Sequence, residues 1–334
     1  MSARRPLVAL ALLALVLPAC SRGADDRLTI YSSRAESVLD PLLQRYMEQT
    51  GRRIDVRYGE SADLAERIVE EGDDSPADLF LSQSPGALDQ VSTKARLAEL
   101  PAGVLDLVDA RFRSEAGEWV GLSGHRRVLL YGTGDVTDAE LPAAVLDLTA
   151  PAYADRVAVA PTSASFQDFV TAMRQSIGDD QTLAWLTALE ANGAKTYSDS
   201  AAIAPAVGRG DVDLGLVNHP DDELAKVESP KMATADHQLE AGDLGNLVLV
   251  SGIGLLKSSD RQDEARQLVD FLLGAQAQTY FADEALEYPL TAGASPASAL
   301  APLDSVGAPA VDLSSLGDLE TTVRLIEASG LAGD

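Results

Sequence analysis

Short apolar runs alternate with segments whose apolar residues recur at helical spacing. This pattern predicts strands over residues 28–32, 54–58 and 77–82 and helices over residues 36–50 and 61–71. Gly51 and Gly72 follow the two helices directly, as expected of a residue that readily adopts the left-handed backbone found at helix ends. The alternation predicts an α/β fold with a largely parallel sheet.

The same alternation continues through the rest of the chain. It predicts strands over residues 119–131, 156–160, 212–217 and 246–257 and helices over residues 165–177, 180–192, 261–273 and 318–329. Asp260 is the expected N-cap of the helix at 261–273. The two long β-rich passages bracket a middle α/β unit, which predicts two crossings between two lobes. The segment 291–309 is rich in Ala, Ser and Pro and is predicted to be extended at the surface.

Two of the early strands end in serine. Ser32 closes the first strand and Ser82 closes the third. Because ligands bind beyond the carboxyl ends of strands in open parallel sheets, the loops that follow these two residues are expected to border a ligand crevice.

The amino terminus has the pattern of a secretion signal. Arg4 and Arg5 precede an apolar run over residues 6–18, and the sequence LPAC ends at Cys20. The run is shorter than the roughly 20 residues of a membrane-spanning helix. LPAC resembles the lipobox of bacterial lipoproteins, so residues 1–19 are interpreted as a signal peptide, Cys20 as the lipidated residue, and residues 20–27 as a linker. The expected location is extracytoplasmic, anchored to a membrane by lipid.

Composition narrows the possible functions. The formal net charge is −26, and cleavage after residue 19 removes two arginines and no acid. Such acidity argues against nucleic acid or an anionic lipid surface as a partner. A single cysteine excludes an internal disulfide, so the fold depends on apolar burial. The length favours two domains, and we expect a monomer.

Seven motifs in order carry a resemblance to a known family. They are residues 30–33 (IYSS), 70–82 (EEGDDSPADLFLS), 119–131 (WVGLSGHRRVLLY), 161–166 (PTSASF), 210–219 (GDVDLGLVNH), 250–258 (VSGIGLLKS) and 287–290 (EYPL). On these stretches the chain resembles the bacterial iron(III)-binding proteins of ABC importers. The resemblance implies a bilobal periplasmic-binding fold of type II, with lobe 1 over 28–125 and 252–334 and lobe 2 over 126–251. It also implies an ABC transporter permease as partner.

The resemblance does not extend to the metal ligands. The family carries two consecutive tyrosines where this chain has Pro220 and Asp221, a histidine where it has Ala35, and a carboxylate where it has Gln83. Ferric ion is hard and prefers anionic oxygen ligands. If iron binds, the expected protein ligands are therefore Asp221 and Gln83, with an anion and water in the remaining places.

The anion half of the family site is retained. Relatives hold a synergistic carbonate or phosphate at a helix start, where this chain has Thr162, Ser163, Ala164 and Ser165. Asn218 matches a family asparagine that contacts the anion, and Ser200 stands where another asparagine is usual. The start of a helix has free N–H groups and a partial positive charge, and both favour the binding of an anion. The alternative is that Ser163 or Ser165 only caps the helix.

Basic residues near the crossing strand are further candidates. Alternation along a strand should place His125 and Arg127 on one face and Arg126 on the other. Arg127 and Arg34 could bind an anion, or they could form structural ion pairs or face solvent. A histidine at position 125 suggests that anion affinity depends on pH.

Other groupings have simpler interpretations. Asp221, Asp222 and Glu223 could form a carboxylate set for a hard cation, but Pro220 followed by acids is also typical of a solvated helix start. Tyr131, Tyr197 and Tyr288 are expected to pack in the core.

Three classes of function follow. The first is a lipid-tethered receptor for ferric iron or a ferric–anion complex. The second is a family member that has lost direct iron coordination and binds a small anion or metal chelate, or serves as a sensor. The third is an enzyme in which His219 and Asp221 act as acid and base, or Ser163 as nucleophile. The absence of GxSxG and HExxH motifs in the sequence argues against the third.

Overall fold

The computed structural model describes residues 27–297 and 300–332. The predicted signal peptide, Cys20 and nearly all of the predicted linker lie outside the described residues. Within the described ranges, no helix has both the length and the apolar character needed to cross a bilayer.

The strands form one continuous mixed sheet. They are β1 (Arg27–Ser32), β2 (Arg53–Tyr58), β3 (Leu79–Ser82), β4 (Leu97–Ala98), β5 (Trp119–Gly132), β6 (Val157–Val159), β7 (Lys195–Thr196), β8 (Leu214–Asn218), β9 (Thr234–His237), β10 (Val248–Leu256) and β11 (Tyr288–Pro289). Their order is β2-β1-β3-β10-β5-β8-β6-β7, with β4 against β10 and with β9 and β11 against β5. The predicted α/β class is confirmed.

Strand β5 joins the two halves of this sheet. It pairs with β10 from Trp119 to Arg126 and with β8 from Arg127 to Tyr131, both antiparallel. The strand paired with β5 therefore changes from β10 to β8 between Arg126 and Arg127. Strand β10, the other long β-rich passage, is buried along its whole length.

The helices cover the faces of the sheet. They are α1 (Glu36–Thr50), α2 (Ser61–Glu71), α3 (Pro85–Thr93), α4 (Ala102–Leu105), α5 (Ala164–Ile177), α6 (Asp179–Ala191), α7 (Ile203–Gly208), α8 (His219–Glu228), α9 (Gln262–Leu273), α10 (Ala275–Asp283) and α11 (Leu319–Ala328). The predicted bounds of α1 and α2 are confirmed. Gly51 has a φ of 73°, and its N–H bonds to the carbonyl of Met47.

The predicted start of α9 is wrong by one residue. Arg261 and not Asp260 occupies the N-cap position. The hydroxyl of Ser259 accepts the N–H of Arg261 at 3.0 Å, which fixes the turn before the helix and moves its first residue to Gln262.

The last helix packs against the middle of the chain. Helix α11 contacts α5 and α6, and the hydroxyls of Thr171 and Thr322 lie 2.6 Å apart. The guanidinium of Arg174 also donates to the carboxylate of Asp318 at 2.8 Å. The sequence analysis groups residues 252–334 with lobe 1, whereas these contacts join α11 to elements within 126–251.

Candidate functional site

A cleft of about 850 Å³ lies at the ends of several strands and helices. Its lining includes most of the residues singled out in the sequence: Arg34, Gln83, Thr162, Ser163, Ala164, Ser165, Ser200, Asn218 and Asp221. Arg127 is 1% exposed and lies behind the wall rather than in it. The chain thus brings together residues up to 187 positions apart in sequence, from Arg34 to Asp221.

One wall is built at the carboxyl ends of β1 and β3. These strands are parallel neighbours, with Ser32 opposite Leu81. The hydroxyl of Ser33 accepts the N–H of Gln83 at 2.9 Å and the hydroxyl proton of Ser61 at 2.7 Å. The exposed side chain of Gln83 is left to face the cleft. The expected meeting of the two strand ends is confirmed.

Arg34 reaches the cleft but its charge is neutralised there. Its guanidinium lies 2.9 Å from the carboxylate of Glu287 and donates to the hydroxyl of Ser123 at 3.0 Å. Ser123 in turn donates to the same carboxylate. Both ion-pair partners are buried, so the arrangement fixes the floor of the cleft and leaves Arg34 little net charge for an anion.

The opposite wall contains the start of α5. Ser163 is the N-cap, and its hydroxyl accepts the N–H of Phe166 at 3.4 Å while donating to the carbonyl of Ala160 at 2.8 Å. The N–H groups of Ala164 and Ser165 occupy the first two helical positions, where an α-helix provides no internal acceptor. Ser163 therefore caps the helix, and the two N–H groups beside it remain suited to an anion.

Arg127 supports this wall from behind. Its Nη1 donates to Ser165 Oγ at 3.2 Å and to Asn218 Oδ1 at 3.0 Å, and its Nη2 donates to the carbonyl of Leu216 at 3.0 Å. Burial lowers the pKa of Arg127 to about 10, while Asp221 and Asp168 act in the opposite direction. The guanidinium therefore stays charged at neutral pH.

Asn218 and Asp221 form the third part of the wall, at the start of α8. The Asp221 carboxylate accepts the N–H of Asn218 at 3.0 Å, and the Asn218 amide donates to the hydroxyls of Ser165 and Ser200 at 3.2 and 3.3 Å. Burial raises the pKa of Asp221, while the nearby Ser200 hydroxyl and the hydrogen bond from the Asn218 N–H lower it. Asp221 thus caps its helix and lines the cleft at once.

The three acids at 221–223 do not converge on a cation. The fully buried carboxylate of Asp222 lies 2.5 Å from Lys226 Nζ and accepts the Thr234 hydroxyl at 2.6 Å. In the described part of the chain, no group of three or more His, Cys, Asp or Glu side chains could hold a metal ion. The three-acid set is therefore wrong, because consecutive helical residues point in different directions.

The two histidines near the cleft are not acid–base groups near neutrality. His219 Nδ1 accepts the N–H of Arg126 at 3.1 Å, Nε2 lies 2.9 Å from the carbonyl of Leu286, and the ring packs on Tyr288. Burial lowers the pKa of His219 to about 3. The geometry gives no support to an acid–base role for His219.

His125 lines the cleft, and Arg126 turns away to Asp236, so the predicted alternation along β5 is confirmed. Burial lowers the pKa of His125 to about 4, with Arg34 and Arg127 acting in the same direction and Glu287 against it. This lowered pKa argues against the expected dependence of anion affinity on pH at His125 in the neutral range.

Tyr58 is a cleft residue that the sequence analysis missed. It ends β2, paired with Ser32, and its hydroxyl donates to Asp40. The rule that identified Ser32 and Ser82, the carboxyl end of a strand, also applies to this position. Of the tyrosines in the described residues, Tyr131, Tyr197 and Tyr288 are not in the lining.

Comparison with known proteins gives consistent matches. The family model described as bacterial extracellular solute-binding protein matches residues 28–284. The chain is 31% identical to the Fe(3+)-binding periplasmic protein of Serratia marcescens, over 95% of this chain and 94% of that protein. It is also 31% identical to the major ferric iron-binding protein of Neisseria meningitidis serogroup B, over 96% and 98% of the two chains.

A solved structure is similar to this protein in its three-dimensional fold as well as in sequence. Iron-bound HitA from Pseudomonas aeruginosa matches with a TM-score of 0.86 and 30% identity, over 91% of this chain and 99% of HitA. This likeness confirms the bilobal periplasmic-binding fold predicted above. The chain belongs to the bacterial extracellular solute-binding proteins, in the same family as these ferric iron-binding relatives.

Proposed function

We propose that this protein is an extracytoplasmic receptor that binds ferric iron, or a ferric–anion complex, in the cleft and delivers it to an ABC transporter permease. The main supporting observation is that one cavity contains both carboxylates, which suit a cation, and hydrogen-bond donors, which suit an anion. Besides Glu287, four carboxylates line it without converging on one point: Glu36, Glu60, Asp199 and Asp221. The start of α5 offers N–H and hydroxyl donors beside them. A trivalent cation with a small oxyanion requires both.

The relatives support this assignment. Two curated relatives that match nearly the whole chain are named for ferric iron, and HitA was solved with iron bound. The family is one of solute-binding proteins, which favours transport over catalysis. The periplasmic location of the Serratia relative supports a place outside the cytoplasm for this chain.

Each lining residue then has a role. Asp221 and Gln83 contribute oxygen to the metal, and anion and water complete its coordination. The anion, carbonate or phosphate, is held by the segment from Thr162 to Ser165 with Ser200 and Asn218. No pair of tyrosine phenolates takes part, so the affinity for iron is expected to be lower than in a two-phenolate site.

The remaining parts of the proposal concern architecture. Lobe 1 comprises residues 28–125 and 252–334 and lobe 2 comprises 126–251, with α11 packed across onto lobe 2. The lobes close on the ligand about β5 and β10. Lipid on Cys20 tethers the mature monomer to a membrane.

The second candidate is a receptor for a small anion or a metal chelate, or a sensor. It is favoured by the side chains that stand at the family's metal-ligand positions, where Ala35 and Pro220 provide no ligand atom and Gln83 provides no charge. The donors at the start of α5 remain complete in this case and would bind the anion alone.

Thermal unfolding separates the two candidates. A ligand that binds only the folded protein raises the unfolding free energy, by about 2.7 kcal/mol at one hundred times its Kd. The mature protein is heated with ferric nitrilotriacetate, with nitrilotriacetate alone, and with inorganic phosphate alone. Stabilisation that requires iron supports the ferric receptor. Equal stabilisation by phosphate alone supports the anion receptor, and metal analysis of protein purified without added ligand should then find no iron. No stabilisation in any condition contradicts both.

A further inference from the structure

The hydroxyl of Ser165 has an unusual set of partners. Ser165 is 7% exposed and lines the cleft. Its Oγ accepts hydrogen bonds from Arg127 Nη1 and from Asn218 Nδ2, both at 3.2 Å. Among the described residues, this hydroxyl donates no hydrogen bond. Because a hydroxyl has one proton and two lone pairs, both lone pairs are engaged and the proton remains to be donated.

The direction of these bonds is set by Arg127. A guanidinium can donate but cannot accept. Asn218 Oδ1 accepts from Arg127 Nη1 at 3.0 Å, so the amide nitrogen must face the other way, toward Ser165 and Ser200. The ambiguity that usually attends an asparagine amide is therefore resolved by its neighbour.

Ser200 differs from Ser165 although both accept from the same amide. Within the described residues, the Ser200 hydroxyl accepts only from Asn218, and it lies close enough to the Asp221 carboxylate to lower the pKa of that group. Of these two serines, Ser165 is the one that also accepts from Arg127, so both of its lone pairs are engaged and its proton is left for a ligand. This proton lies beside the N–H groups of Ala164 and Ser165 at the start of α5.

We propose that Arg127 is a positioning residue: through Asn218 it holds Ser165 as a hydrogen-bond donor, so that the cleft selects a ligand with an acceptor oxygen at the start of α5. The inference rests on the proposed function, which supplies an oxyanion for that place. Without Arg127, Asn218 Oδ1 would lose its donor, and Ser165 could turn its proton to that oxygen instead of the ligand. Arg127 thereby affects specificity without contacting the ligand.

A double-mutant cycle tests the proposal. Inorganic phosphate is titrated calorimetrically into the mature protein, alone and with ferric nitrilotriacetate, for the wild type, Arg127→Met, Ser165→Ala and the double variant. A hydrogen bond to an anion corresponds to a loss of about tenfold or more in affinity, which we expect for each single variant. In the Ser165→Ala background, Arg127→Met should cause little further loss. Arg127→Lys, which keeps a donor and the charge, should recover part of the affinity.

Other outcomes overturn the proposal. If Arg127→Met weakens phosphate binding equally with and without Ser165, Arg127 acts by its charge or on the fold. If Arg127→Met does not fold, the cycle is run with Arg127→Lys, whose smaller loss of affinity should likewise disappear in the Ser165→Ala background. Arg126→Gln is the matched control: Arg126 is the neighbour on β5 that faces Asp236, so its loss should leave phosphate affinity unchanged. If wild type binds phosphate in neither condition, the proposal fails, whereas iron-dependent thermal stabilisation still measures the proposed function independently.

Discussion

The carboxylate of Asp168 accepts a hydrogen bond from the hydroxyl of Ser84 at 2.8 Å, which joins α5 to the start of α3. The same oxygen accepts the N–H of Gly86 at 3.2 Å. The other oxygen has no hydrogen-bond partner within the described residues, and the side chain is fully buried. A Cβ at Gly86 would collide with this carboxylate, so the helix start and Asp168 are matched in shape as well as in bonding.

Asp168 should make the stability of the protein depend on pH. Burial raises its pKa from 3.8 to about 7, opposed by Ser84, Gly86 and Arg127. Between these values the folded protein holds a proton that the unfolded chain has released, so the unfolding free energy falls as pH rises through this window and is level above it. At about 1.4 kcal/mol per pKa unit, the fall is at most about 4 kcal/mol.

Asp168→Asn is the variant that checks this expectation. The amide oxygen can still accept from Ser84 and Gly86, but it does not titrate. Denaturant unfolding should be measured from pH 4 to pH 8. The difference in unfolding free energy between wild type and variant should change as pH rises to about 7 and stay constant above it. Asp89 and Asp236 also have pKa values raised to about 6, yet they contribute equally to both proteins. Parallel curves for the two proteins would contradict the prediction.

Ser163→Asp should weaken anion binding at a small cost in stability. Aspartate caps helices as well as serine does, so the N-cap function at α5 is kept. It cannot donate to the carbonyl of Ala160, and the loss of that bond should cost about 1 kcal/mol. Its negative charge would lie where the anion is expected, and repulsion should lower phosphate affinity by about tenfold or more. Calorimetric titration with phosphate measures the affinity, and thermal unfolding provides the control. Equal affinity in both proteins would refute an anion site at this helix start.

Ferric loading should not produce the visible charge-transfer band of an iron–tyrosinate bond. Such a band requires a phenolate on the metal, and Pro220 and Asp221 occupy the positions of the family's tyrosines. Burial and the hydrogen bond to Asp40 raise the pKa of Tyr58, the tyrosine of the described residues that lines the cleft, and so oppose phenolate formation there. An absorbance scan after addition of ferric nitrilotriacetate checks this. A strong blue-green band that Tyr58→Phe abolishes would identify Tyr58 as a ligand.

Substitutions of the adjacent residues Asp221 and Asp222 should affect different properties: ferric affinity for Asp221 and stability for Asp222. Asp221→Asn removes a cleft carboxylate and should lower ferric affinity about tenfold or more, with little change in stability because asparagine can still cap α8. Asp222→Asn weakens the buried contact with Lys226 and should cost about 1–3 kcal/mol of stability while ferric affinity stays unchanged. Competition titration with nitrilotriacetate and denaturant unfolding measure the two quantities. A larger loss of iron affinity in Asp222→Asn would contradict the assignment.

Much of the fold could be predicted from local pattern. The bounds of α1 follow from apolar residues at helical spacing and from the glycine after it, because both signals act within a few residues. The same holds for the strand ends at Ser32 and Ser82, which parallel pairing brings to one edge. The alternation of His125, Arg126 and Arg127 was likewise predictable, because side chains on a strand point alternately to its two faces.

Partners at long range required the tertiary structure. The residue types alone show that a basic residue stands at position 34, at position 127 and, as histidine, at position 125. Only the fold decided that Glu287 neutralises Arg34, that Arg127 lies behind Ser165 and Asn218, and that burial keeps His125 uncharged at neutral pH. The charge and direction of a polar group depend on its desolvation and on neighbours distant in sequence, and these are established only when the chain has folded.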